Sequence, residues 1–210
     1  MIRVIIADDH PIVREGMKKV LEKTPDIVVA EEVSTGEELL GKIRETDYDA
    51  VVLDIAMPGR GGLETLEQLK AEKPRLPILM ISIHPEEHYG VRVLKAGASG
   101  FMNKEKAPEE LIGAIRKVAM GGKYVSSSLA ERLAFDLEPG KGKQPHERLS
   151  NREYQVMCLI ASGKRVSEIA KELSLSVNTI STHRSRILKK MKMKSNAEIT
   201  NYVIKKGLLD

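Results

Sequence analysis

Five short apolar runs, four of them β-branched and each followed by a segment of helical periodicity, fill the first 120 residues, and no other feature narrows the choice of folds so much. Arg3–Ala7 (RVIIA), Ile27–Val33, Ala50–Asp54 (AVVLD), Pro77–Ser82 (PILMIS) and Gly100–Asn103 read as strands. Pro11–Lys23, Gly36–Thr46, Leu63–Glu72, Glu86–Lys95 and Pro108–Met120 read as helices; Val13, Met17, Val20 and Leu21, for example, form one apolar stripe. Strands alternating with helices predict an α/β fold with a five-stranded parallel sheet covered on both faces. In such open sheets the functional groups gather beyond the carboxyl ends of the strands.

The pattern then stops. Residues 123–146 read as a linker, with a short helix over Ser126–Asp136 and an exposed stretch, EPGKGKQPH, rich in turn residues. From Leu149 strand signals vanish and four helices are expected. The first is opened by the capping box Ser150-Asn-Arg-Glu153. The others cover about Val166–Leu173, from just after Ser176 to about Met193, and about Asn196–Lys205. The expected division is thus 1–122, 123–146 and 147–210. Charge divides in the same way: residues 1–121 hold 17 Lys and Arg against 21 Asp and Glu, whereas residues 122–210 hold 17 against 9. An acidic module joined to a basic one points to different partners, the second polyanionic.

Composition removes several classes. No run approaches the roughly 18 apolar residues of a membrane span, and Met1–Ala7 is too short for a secretory leader, so a cytoplasmic protein without a membrane partner is expected. One cysteine rules out an internal disulfide framework and a CxxC metal knuckle. Cys158 falls on the apolar side of its helix and is expected to pack. With no Trp and seven aromatics, the chain lacks material for a base-stacking platform. His10, His84 and His88 show no metal-ligand spacing and are expected at the surface.

Reactive side chains fall at the strand ends: Asp8 and Asp9 after the first, Asp54 on the third, Ser82 on the fourth, Lys104 after the fifth. A parallel sheet brings these together at one edge. Three crowded carboxylates repel one another unless a cation sits among them, and a hard, oxygen-liganded ion such as Mg²⁺ suits that need. Asp is a covalent nucleophile for phosphate, and a lysine and a hydroxyl nearby can hold the arriving charge.

The segments VIIADDHPIVREGM, VVLDIAMPGRGG, PILMIS and KAGASGFMNK resemble the receiver domain of two-component response regulators, over residues 1–121. The resemblance implies a flavodoxin-like strand order. Asp54 corresponds to the phosphorylated aspartate, Asp8 and Asp9 to the metal-binding pair, and the backbone carbonyl of Ala56 to the third protein ligand. Ser82 and Lys104 correspond to the groups that hold the phosphoryl, and Ser82 with Phe101 to the switch. One departure stands out: Glu105 replaces the usual proline after the lysine.

Residues 147–210 hold 13 Lys and Arg against 6 Asp and Glu. Two helices joined by the tight Leu173–Ser176 turn follow the helix-turn-helix plan, whose second helix enters the major groove. The segment from Leu149 to Met191 resembles the DNA-binding domain of the LuxR class, in the NarL/FixJ group of regulators. At the start of its second helix Arg165-Val166 stands for Ser-Asn, and Ser181 stands for a common lysine. Asn178, Ser181, Thr182, His183, Ser185, Arg186 and Lys189 are the expected DNA contacts.

Together these imply a transcriptional regulator with a sensor histidine kinase, promoter DNA and a second copy of itself as partners, and RNA polymerase as a further one. It is expected not to be an enzyme beyond self-phosphorylation from a donor and slow autodephosphorylation. An orphan receiver worked by protein contacts or a ligand is the alternative. A Mg²⁺-dependent phosphatase would want an acidic group two residues after its nucleophile, where Ala56 stands.

Overall fold

The structure, a computed structural model, describes residues 1–106, 108–136 and 144–208. Its chain divides into two compact units, Met1–Leu133 and Ala134–Asp210. In the first unit the elements run β1 (Ile2–Ala7), α1 (Pro11–Leu21), β2 (Ile27–Val33), α2 (Gly36–Glu45), β3 (Ala50–Asp54), α3 (Gly62–Glu72), β4 (Ile78–Ser82), α4 (Glu86–Lys95), β5 (Gly100–Asn103) and α5 (Pro108–Ala119). The sheet is parallel throughout, in the order β2-β1-β3-β4-β5. Alternation along the strands sends one set of side chains to each face. Val4, Ile6, Val52, Leu79 and Ile81 pack with Ala114, Ile115 and Val118 of α5 and Leu21 of α1. Ile5, Val51, Leu53 and Met80 point the other way, on the side where Leu39, Leu66 and Leu69 are also fully buried.

The chain then returns to the sheet. Tyr124 bridges Gly100 in parallel, its carbonyl accepting from Phe101 N at 3.1 Å and its N–H donating to the Ser99 carbonyl at 3.0 Å. Helix α6 (Ser127–Asp136) follows. Within the expected linker, residues 137–143 lie outside the described residues, and Pro145–Arg148 form one turn of 3₁₀ helix.

The second unit is all helical: α7 (Asn151–Ala161), α8 (Val166–Glu172), α9 (Val177–Met191) and α10 (Asn196–Lys205). The capping box is present, with Ser150 Oγ accepting from Glu153 N at 3.3 Å and Glu153 Oε2 accepting from Ser150 N at 2.7 Å. At α8 the arginine offers no acceptor, so only the return bond forms, Arg165 N to Glu168 Oε2 at 2.7 Å. Ser174 takes a left-handed φ of 52° in the turn before α9. The apolar stripes meet in a core of Ile169, Ile180, Ile187, Ile199 and Val203, all fully buried. Cys158 is buried, as its position on the stripe requires. Among the described residues no helix is long and apolar enough to cross a membrane.

Candidate functional site

The carboxyl edge of the sheet gathers Asp8, Asp54, Ser82 and Lys104. Asp8 follows β1, Asp54 ends β3 and Ser82 ends β4; all three are buried. Lys104 follows β5 and is held by its own backbone, whose N–H donates to the Ser82 carbonyl at 2.8 Å. Its ammonium spans the two acids, 2.6 Å from Asp8 Oδ2 and 2.9 Å from Asp54 Oδ2. Burial pushes the Asp54 carboxyl above the ordinary carboxylate range; Lys104 pulls against this and the charge of Asp8 adds to it. The Ser82 hydroxyl accepts from His84 N at 3.0 Å, which fixes it at the head of the loop into α4.

Asp8, Asp9, Asp54 and His10 each offer one ligand atom within 4.8 Å of the others. Asp54 Oδ1 is buried with no hydrogen-bond partner among the described residues. A buried carboxylate oxygen without a donor fits a cation ligand, so the set is compatible with a metal site. Ala56 lies two residues past Asp54 on the same loop, half-buried.

Two histidines depart from the sequence expectation. His10 is exposed, yet its Nδ1 stands 2.9 Å from Asp9 Oδ1 and 3.3 Å from Asp8 Oδ1, so it belongs to the acidic cluster. His88 is not a surface residue: it is 6% exposed, on the buried face of α4 with Tyr89 and Val93. Phe101 is buried within β5. The substitution at Glu105 has a local consequence. Its N–H, which proline would lack, donates to Asn103 Oδ1 at 2.7 Å and closes the turn after Lys104. Sequence reading also passed over Gly62. A Cβ there would lie 1.9 Å from the Asp54 carbonyl oxygen, so the loop from the third strand closes only over glycine. The doubled glycine of PGRGG was the available signal.

In the second unit, Ser176 caps α9 by accepting from Thr179 N at 3.0 Å. Ile180, Ile187 and Met191 face the core, while Asn178, Ser181, Thr182, Ser185, Arg186 and Lys189 line one open concave surface. His183 is half-buried and does not line it. Arg184 Nε donates to Asn196 Oδ1 at 2.6 Å, which ties that arginine to the start of α10.

Residues 4–116 match the response regulator receiver domain family, and residues 147–203 match the bacterial regulatory proteins of the luxR family. The response regulator UvrY of Escherichia coli (strain K12) is 37% identical over 99% of this chain and 96% of that protein. The response regulator GacA of Pseudomonas aeruginosa is 34% identical over 100% of this chain and 99% of its own. Among solved structures, RcsB from Salmonella enterica serovar Typhimurium, bound to promoter rprA in the presence of the phosphomimetic BeF3⁻, is similar with a TM-score of 0.63. It is 30% identical, covering 96% of this chain and 97% of that one.

Proposed function

The chain belongs to the response regulators that join a receiver domain to a LuxR-type DNA-binding domain, and we propose that phosphorylation of Asp54 controls its binding to promoter DNA. The observation that carries this reading is the pairing of Lys104 with both Asp8 and Asp54 at the buried edge of the sheet. A carboxylate oxygen of Asp54 attacks the phosphorus of a phosphohistidine on a sensor kinase. The P–N bond breaks and the imidazole leaves. Lys104 Nζ, already 2.9 Å from Asp54, neutralises charge on the arriving group, and the Ser82 hydroxyl donates to it after leaving its contact with His84 N. Asp8, Asp9, Asp54 and the carbonyl of Ala56 are the residues that would hold Mg²⁺, which when bound supplies charge neutralisation for the transfer.

Asp54 is a single-use acceptor. With Ala56 where a phosphatase would need an acid, the chain turns over no separate substrate and only loses its own phosphoryl group slowly. Loss of the Ser82–His84 hydrogen bond releases the start of α4, and buried Phe101 on the adjacent strand repacks; this is the two-state element that the new charge biases. The modified protein pairs with a second copy, and two basic domains then bind two half-sites of promoter DNA in the cytoplasm, where RNA polymerase is a further contact.

The test is mass spectrometry after incubation with acetyl phosphate. One phosphoryl addition is expected, abolished by EDTA and by Asp54→Ala. Undiminished labelling of Asp54→Ala removes the acceptor assignment. Absence of labelling in the native chain favours an orphan receiver worked by contacts alone.

A further inference from the structure

Two of the outward hydroxyls of α9, those of Thr182 and Ser185, are not free to play either part in a hydrogen bond. Thr182 Oγ1 donates to the Asn178 carbonyl at 2.9 Å, and Ser185 Oγ donates to the Ser181 carbonyl at 3.0 Å. Both residues are exposed, on the same concave surface as Asn178 and Lys189. A hydroxyl carries one proton and two lone pairs. With the proton committed to a carbonyl one turn back, the outer side can only accept.

The major groove offers both kinds of partner. Adenine N6 and cytosine N4 donate, whereas guanine N7 and O6, adenine N7 and thymine O4 accept. A lone pair set against a base acceptor leaves two desolvated groups without a bond. Redirecting the proton to such an acceptor forfeits the bond to the helix, a bias of about 2- to 10-fold per hydroxyl. Arg184 does not line this surface, and its Nε is tied to Asn196.

We infer that Thr182 and Ser185 form an amine-reading face, selecting adenine or cytosine through the exocyclic amino group. The inference rests on the DNA-binding reading of α9 and adds the base class that this face prefers. Asn178, which carries both a donor and an acceptor, reads adenine beside them. Arg186 is the arginine that lines the surface, and a guanine preference that survives removal of both hydroxyls belongs to it.

The experiment uses the full-length protein and a pool of duplexes randomised over two half-sites. Positions whose preference disappears in Thr182→Val or Ser185→Ala are assigned to those hydroxyls. At each such position the base is replaced by an analogue lacking the exocyclic amine (purine for adenine, 2-pyrimidinone for cytosine) and, separately, the one purine of the pair by its 7-deaza form, which loses N7 and leaves the amine of the adenine or cytosine in place. Loss of the amine is expected to weaken binding about 2- to 10-fold, with the 7-deaza forms binding as before. Thr182→Ser is expected to keep the preference.

The reverse pattern, with sensitivity to N7 and none to the amine, overturns the inference. So does a preference kept by Thr182→Val and lost by Thr182→Ser, which would make the methyl group the reader. Unchanged selection in both hydroxyl variants overturns it as well. Failure to bind any duplex in a salt-dependent way would instead remove the DNA-binding reading beneath it.

Discussion

Leu129 of α6 lies directly over Gly90 of α4: a Cβ on Gly90 would come within 2.8 Å of both Leu129 methyl carbons. Beside this contact Glu86, in the first turn of α4, accepts from Ser126 Oγ at 2.5 Å and also from the Ser128 hydroxyl. The segment after the sheet is therefore fastened to α4 by one apolar knob and one carboxylate, and to β5 through Tyr124. Those two elements adjoin Ser82 and Lys104.

Gly90→Ala is expected to push α6 away from α4. Overpacking of this kind costs about 1–3 kcal/mol. Hydrogen exchange of residues 127–133 should rise well above that of the sheet. Leu129→Ala should loosen the same segment by removing the knob, at about 2–5 kcal/mol. Unchanged exchange in both variants would show that the Leu129–Gly90 packing does not hold the segment.

A contrast between glycines tests the loop after Asp54. Gly62→Ala puts a Cβ 1.9 Å from the Asp54 carbonyl, so the backbone of the acceptor residue must move. A fall in melting temperature together with loss of acetyl-phosphate labelling is expected. Gly41, inside α2, has nothing within 4 Å of its would-be Cβ, and Gly41→Ala should stabilise by about 0.5–1 kcal/mol with labelling intact. Equal behaviour of the two would contradict the close approach.

How much of this the sequence carried depends on whether a feature is periodic or positional. The strands Ala50–Asp54 and Gly100–Asn103 fall where the short apolar runs place them, and the reactive side chains inherit their location from strand ends. The face of α9 follows from its 100° spacing. What escaped has no period. His88 is buried because it flanks Tyr89 and Val93 on a helix whose inner face is wide, and a lone polar residue beside such a stripe gives no sign of which way it turns. The return of Tyr124 to β5 is a single bridge, too short to leave a pattern. His10 joins the acidic cluster through side-chain directions that spacing alone does not fix.

Lys104 occupies the position between Asp8 and Asp54 that a cation also favours. Lys104→Met removes a competing positive charge, so Mg²⁺ should bind more tightly, each tenfold gain corresponding to about 1.4 kcal/mol of altered interaction. Calorimetric titration of the two proteins measures it. Weaker Mg²⁺ binding in Lys104→Met would mean that the lysine organises the acids rather than competing for them.

The second unit should carry an acid-sensitive bond. Burial raises the pKa of Glu153, but the Lys190 ammonium at 2.6 Å and the Ser150 N–H outweigh this, and the net shift is below the ordinary 4.5. A depressed carboxylate contributes stability above its unfolded pKa and loses it as pH falls through the folded value. The contribution is thus full above about pH 5 and declines below 4.5. Titration of the Glu153 carboxyl by NMR should give a midpoint under 4.5, and Glu153→Gln should flatten the acid limb of stability for this unit. A midpoint above 4.5 would show that burial wins.

Phosphate and base recognition on α9 should separate by their response to salt. Lys189 is exposed at the far end of the concave surface, and a lysine there pairs with phosphate wherever the duplex lies. Lys189→Ala should weaken a selected operator and random DNA alike, and each phosphate left unneutralised should reduce the slope of log K against log salt by about 0.9. Asn178, near the start of the helix, carries the amide suited to adenine, and a good bidentate pairing is worth about 1–3 kcal/mol of discrimination. Asn178→Ala should therefore cost the operator far more than random DNA and leave the salt slope unchanged. With short hydroxyls filling the centre of the face, much of the remaining selectivity should come from DNA shape and half-site spacing. Affinity measured on both duplexes across a salt series decides the matter. If Lys189→Ala abolishes discrimination while Asn178→Ala leaves it intact, the helix is turned differently in the groove and the roles of these two side chains are exchanged.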